Sequence, residues 1–102
     1  MNEKILMFTM LWSLSPMGQV YASDIQMGQK KSEICAGCHG SRGVSISSEY
    51  PNLAGQKEQY LKKQLHDFKS GERNNPTMKA MARSLSQDDI SNLAAYFSSL
   101  KP

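Results

Sequence analysis

The chain has 102 residues, 39% of them apolar and 21% charged, with a formal net charge of +3. That length suits one domain rather than a two-domain enzyme, and the apolar content excludes a disordered chain. A surplus of three positive charges also falls well short of the concentrated basic face of a nucleic-acid binder.

At the N-terminus Lys4 supplies a short positive region, residues 5–14 (ILMFTMLWSL) form an apolar run, and Val20, Tyr21 and Ala22 offer a cleavage site with a small final residue. Residues 1–22 therefore read as a cleaved signal peptide. The run is shorter than the roughly 20 residues of a membrane span, and Pro16 and Gly18 break it. No Cys lies near the cleavage site to carry a lipid anchor. The expected mature chain, residues 23–102, is a single soluble domain exported to the periplasm, and losing Glu3 and Lys4 leaves its charge at +3. Its few aromatic side chains make a thin core, and chains this small commonly depend on a disulfide, a metal or a cofactor to complete it.

Asp24 is a suitable N-cap for a helix over 25–34, with Ile25, Gly28 and Ser32 on one face. Gly28 is a poor helix former, costing about 1 kcal/mol unless another helix must approach it closely. Both cysteines then fall in Cys35-Ala36-Gly37-Cys38-His39, the C-x-x-C-H spacing of c-type haem attachment. Two thiols so spaced can each add across one haem vinyl group, and the following His39 can give the iron its proximal imidazole. Three other uses of the cysteines fit less well. A thioredoxin-like pair needs a preceding strand and a βαβ pattern, a structural zinc site needs four ligands where only Cys35, Cys38, His39 and the distant His66 exist, and a disulfide closing so short a loop contributes little entropy.

Residues 40–55 are rich in Gly, Ser and Asn and show no sustained period, which predicts a loop. Over 57–70, Tyr60, Leu61, Leu65 and Phe68 recur at helical spacing, Glu58 with Lys62 and Lys63 with Asp67 form i,i+4 pairs, and Gly71 follows the end. A second loop over 72–77 is expected to arch over the haem and deliver Met78. Ser86 then caps a final helix with Asp88 and Asp89 in its first turn and Ile90, Leu93, Ala94 and Phe97 on its apolar face. No strand pattern or second haem motif occurs, so the fold class is all-α with one haem. Met78 and Met81 are the candidate thioether ligands, three residues apart and not separable by local geometry. His66 is the rival, placed by the helix pattern opposite Leu61, Leu65 and Phe68 and so expected to be exposed.

The stretches CAGCHG (35–40), PNLAGQ (51–56), YLKKQLHDFKSGER (60–73) and LSQDDISNLAAYFSSL (85–100), with Gly43, Met78 and Met81, together resemble a monohaem class I cytochrome c. The likeness is greatest to one domain of the small dihaem periplasmic cytochromes c of bacteria. It implies a class I cytochrome c fold, three to five helices around one haem c bound covalently through Cys35 and Cys38. It also implies that Pro51 presents its carbonyl to the His39 imidazole, and that Gly28 meets Leu93 and Tyr96 where the terminal helices cross. The ligand Met of similar domains stands seven residues before the Leu that opens the last helix, which selects Met78 and makes Met81 a packing residue of the haem pocket.

With both axial positions filled, the expected function is a non-enzymatic shuttle of single electrons between redox proteins. Alternatives are a haem c subunit of an oxidoreductase complex, or a haem sensor or peroxidase with a labile distal Met. Lys62, His66 and Lys69 on one helix face, with Arg42, Lys79 and Arg83 near the haem, are candidates for steering an acidic redox partner; ordinary solvated basic side chains are the plainer reading. Transfer between two haems within one chain is not carried over from the dihaem proteins.

Overall fold

The computed structural model describes residues 23–102, so the expected signal peptide lies outside the described residues. Among those described there are five α-helices and no strand: α1 (Ile25–Lys31), α2 (Glu33–His39), α3 (Glu58–Ser70), α4 (Pro76–Ala82) and α5 (Gln87–Ser99). None is long and apolar enough to cross a membrane.

Asp24 caps α1 as its sequence position suggests, its carboxylate accepting from the Met27 N–H at 3.1 Å. The helix expected over 25–34 instead divides at Ser32 and resumes through the whole C-x-x-C-H motif. Ser32 Oγ donates to the Gln29 carbonyl at 2.6 Å, and the Cys35 N–H reaches the Ser32 carbonyl at 2.9 Å across a tighter, three-residue step. α2 stops at Gly40, whose φ of 87° takes the chain out of the helix.

α5 is the trunk of the core. Its N-terminus carries a capping box, in which the Asp89 N–H donates to Ser86 Oγ at 3.0 Å and the Ser86 N–H donates to the Asp89 carboxylate at 2.9 Å. Below this cap Ile90, Leu93, Ala94, Ala95, Tyr96 and Phe97 are buried, joined by Leu61 and Phe68 of α3, Ala82 of α4 and Leu85. Tyr60, expected on the apolar face of α3, is instead exposed. Lys63 pairs with Asp67 as expected, whereas no ion pair joins Glu58 and Lys62 among the described residues.

α1 crosses α5 at Gly28. A Cβ there would lie 2.0 Å from the Asn92 carbonyl oxygen and 2.8 Å from Tyr96 Cβ, so only a glycine permits the contact. Of the two residues expected opposite Gly28, Tyr96 is in place, while the closest approach is to the Asn92 backbone. The Asp24 N–H donates to Asn92 Oδ1 at 2.8 Å, and Lys31 lies 3.5 Å from Asp89, so both ends of α1 are tied to α5.

Two expected outcomes follow from this crossing. Gly28→Ala must push the helices apart against backbone atoms, and unfolding by heat or denaturant should register a loss of about 3 kcal/mol. The Ser86 N–H, with Lys31 adding to it, holds the Asp89 carboxyl below its ordinary 3.8. A depressed folded value gives stability that is full above about pH 4 and is lost as pH falls through the lower value. Asp89→Asn should therefore cost up to about 1 kcal/mol at pH 7 and flatten the acid limb of a stability profile measured between pH 2 and pH 5.

Candidate functional site

α2 and the loop over 40–57 carry the thiols, the imidazole and its hydrogen-bond partner, and α4 carries the two candidate methionines. On α2 the two cysteines stand one turn apart, with Cys35 half-buried against the core cluster and Cys38 exposed. Burial, with the neighbouring Cys38 adding to it, pushes the Cys35 thiol up to about 11, so it is a neutral thiol at physiological pH. The thiols are not bonded to each other, and among the described residues no three His, Cys, Asp or Glu side chains cluster as a metal site.

His39 is buried at the end of α2, with Tyr50 edge-on at 6.3 Å between ring centroids. Its Nδ1 lies 2.8 Å from the Pro51 carbonyl oxygen, the contact that the resemblance implies. A carbonyl can only accept, so Nδ1 carries the proton and Nε2 is left as the nitrogen able to bind a metal. The loop is bent to make this contact by Gly43, whose φ is 73° and whose carbonyl accepts from both the Leu53 N–H at 2.7 Å and the Ala54 N–H at 3.0 Å. Just beyond, the Gly55 N–H donates to the Phe97 carbonyl at 2.9 Å, fastening the base of the loop to α5.

Met78 is not delivered by an arching loop. It sits in the first turn of α4, where Asn75 is the N-cap, accepting from the Met78 N–H at 3.0 Å, and Pro76 opens the helix. Asn followed by Pro is a helix start as well as a turn, because Pro has no N–H to lose at the first position and its φ is already helical. Met78 is half-buried and packs against the core cluster, while Met81, one turn on, is exposed. His66 is exposed on α3, as expected. Lys69, placed among possible steering charges, instead donates to the Leu85 carbonyl and ties α3 to the turn between α4 and α5.

Sequence reasoning missed this Lys69 contact and a hydrogen-bonded group within the loop. Asn52 Oδ1 accepts from the Ser45 N–H at 2.7 Å, and Ser45 Oγ lies 3.2 Å from the Cys38 carbonyl. The only local sign of the latter was the polar, turn-forming character of both residues.

The elements around the motif suit a large apolar cofactor. Ile34 of α2, Val44, Ile46 and Tyr50 of the loop, Tyr60 of α3 and Met81 of α4 all stay exposed, Ile46 completely so. Uncovered apolar side chains on the same elements as the paired thiols and the oriented imidazole fit a porphyrin, which would supply groups for both thiols.

Residues 25–101 match the cytochrome c family. Cytochrome c4 of Pseudomonas aeruginosa is 41% identical over 97 residues, which are 94% of this chain and 48% of that protein. Cytochrome c-554(548) of Halomonas halodenitrificans is 40% identical over 81 residues, 76% of this chain and 98% of the other. A thiosulfate dehydrogenase electron acceptor of Thiomonas intermedia is 48% identical over 69 residues, 67% of this chain and 32% of the other. The solved structure of reduced recombinant cytochrome c4 from Pseudomonas stutzeri superposes with a TM-score of 0.74 at 43% identity, covering 78% of this chain and 47% of that one. The chain thus spans about half the length of the cytochromes c4 it matches. With the C-x-x-C-H motif on α2 and this match across all five helices, the chain belongs to the cytochrome c family, and Cys35 and Cys38 are the attachment points of a covalently bound haem c.

Proposed function

We propose that the protein is a periplasmic one-electron carrier, exported by residues 1–22, with its haem iron bound between His39 Nε2 and Met78 Sδ. The observation that carries this reading is the 2.8 Å hydrogen bond from His39 Nδ1 to the Pro51 carbonyl, made from the residue that directly follows the second thiol. When bound, the haem would supply a ferric/ferrous couple, and His39 and Met78 would hold its iron and keep oxygen and peroxide from it.

The chain's part is to hold two donors of opposite effect. Pro51 draws on the Nδ1 proton, which orients the His39 ring and makes its other nitrogen more basic, favouring the ferric state. Met78 offers a thioether that favours the ferrous state and raises the potential. Its backbone is held by Asn75 and its side chain is packed on the core, whereas Met81 has no such packing. The role in this reading is that of a carrier. Donor and acceptor would dock through a small, short-lived interface, with the exposed Arg42, Lys79 and Arg83 available to an acidic partner.

The likeness to a thiosulfate dehydrogenase electron acceptor favours a second reading, a dedicated electron-accepting partner of one oxidoreductase. Purification of the holoprotein from its native cells separates the two, since a dedicated subunit copurifies with its enzyme and a free carrier does not.

Spectroscopy of two variants tests the ligation. Met78→Ala should abolish the weak long-wavelength sulfur-to-iron band, lower the potential and open the ferrous protein to carbon monoxide, while Met81→Ala should leave all three unchanged. The reverse pattern would transfer the ligand to Met81. Retention of the band in both variants would rule out Met78 and Met81 alike, and rapid carbon monoxide binding by the unaltered ferrous protein would favour a sensor with a labile ligand.

A further inference from the structure

The carbonyl facing His39 belongs to the peptide that joins Pro51 to Asn52, so its direction depends on how Asn52 is held. The Asn52 side chain reaches across the loop, where Oδ1 accepts from the Ser45 N–H at 2.7 Å. The Ser45 hydroxyl lies 3.2 Å from the Cys38 carbonyl and 2.9 Å from the Ser47 carbonyl, and it accepts from the Ser47 N–H at 3.1 Å. The Cys38 carbonyl is part of the peptide leading into His39. One small group of polar contacts therefore spans both supports of the imidazole, the backbone that carries it and the carbonyl that receives its proton.

We infer that Asn52 and Ser45 are positioning residues for the proximal ligand, fixing the strength of the His39 Nδ1–H to Pro51 bond and, through it, the reduction potential. The inference rests on the proposed His39 ligation and extends it. Asn52 is exposed and outside the core cluster, so its side chain is not required for packing. Pro51 is exposed as well, and the loop between its neck at Gly43 and the contact with His39 contains no helix or strand to hold the carbonyl in place. Without the Asn52 link the carbonyl can swing and the Nδ1 bond opens more often. A weaker acceptor leaves the imidazole less electron-rich, which favours ferrous iron and raises the potential.

The test uses the isotopically labelled ferrous holoprotein, with nuclear magnetic resonance of the His39 Nδ1 proton and a redox titration as its two readouts. In the unaltered protein this proton should be displaced upfield by the porphyrin ring current and should exchange slowly with water. Absence of that displaced signal would refute the His39 ligation itself, separately from the positioning role. Asn52→Ala should speed the exchange about tenfold, as expected from the loss of one supporting hydrogen bond, and raise the potential. Asn52→Asp keeps an acceptor oxygen at the same place and should restore slow exchange. Unchanged exchange and potential in Asn52→Ala, or a lowered melting temperature with both readouts unmoved, would overturn the inference. If Asn52→Ala does not load haem, Asn52→Leu, which keeps the bulk of the side chain and removes the acceptor, decides by the same two readouts. Faster exchange with a raised potential supports the inference, and unaltered values overturn it.

Discussion

Everything in this fold hangs from the crossing of α1 and α5 at Gly28, where the absent side chain lets one helix rest on the backbone of the other. α1 runs almost directly into α2, so the crossing also places the C-x-x-C-H motif relative to the trunk of the core. The far end of α5 holds the loop over 40–57. There the Phe97 carbonyl receives the Gly55 N–H, and a Cβ on Gly43 would lie 3.0 Å from the Phe97 ring, so the loop that brings Pro51 to His39 is seated on the same helix. His39 and the carbonyl that orients it are thus both referenced to α5 rather than to each other alone.

Electrostatics reinforce this arrangement at few points. Asp89 serves the cap of α5 and faces Lys31 at the end of α1, so a single carboxylate supports both the helix start and the crossing. Lys69 is used in the same economical way, covering the Leu85 carbonyl at the turn that follows the Met78 helix. Contacts of this kind contribute modestly on their own. Their value lies in position, since one joins α1, which leads into α2, to α5, and the other joins α3 to the turn between α4 and α5.

What could be read from the sequence was what depends on neighbours along the chain. The caps at Asp24 and Ser86 and the apolar spacing of α3 and α5 are local patterns, and the structure realises them except at Tyr60, which stays exposed. The attachment motif was equally legible because its chemistry is confined to five consecutive residues. The break at Ser32 was not, since it depends on a hydroxyl turning back to the Gln29 carbonyl. Helix formation through Cys35, Gly37 and Cys38 runs against their weak intrinsic propensity. α4 was hidden because Asn75-Pro76 starts a turn and a helix equally well. Pro51 could be connected to His39 only through resemblance, and the link from Asn52 to Ser45 had no sequence pattern at all, because a loop without periodicity does not record which of its residues meet.

The same economy would make a bound haem a structural part of the protein. Beyond the α5 cluster the chain leaves Ile34, Val44, Ile46, Tyr50, Tyr60 and Met81 without cover, and most of them belong to the elements that carry the site. An 80-residue domain with so small a core gains little net stability from its own side chains. The most direct test of this coupling compares the holoprotein with the haem-free Cys35→Ala/Cys38→Ala chain by far-ultraviolet circular dichroism during heating. The account predicts that the haem-free chain loses most of its helical signal and melts without a cooperative transition. A haem-free chain with holoprotein-like helicity and a sharp melt would contradict it.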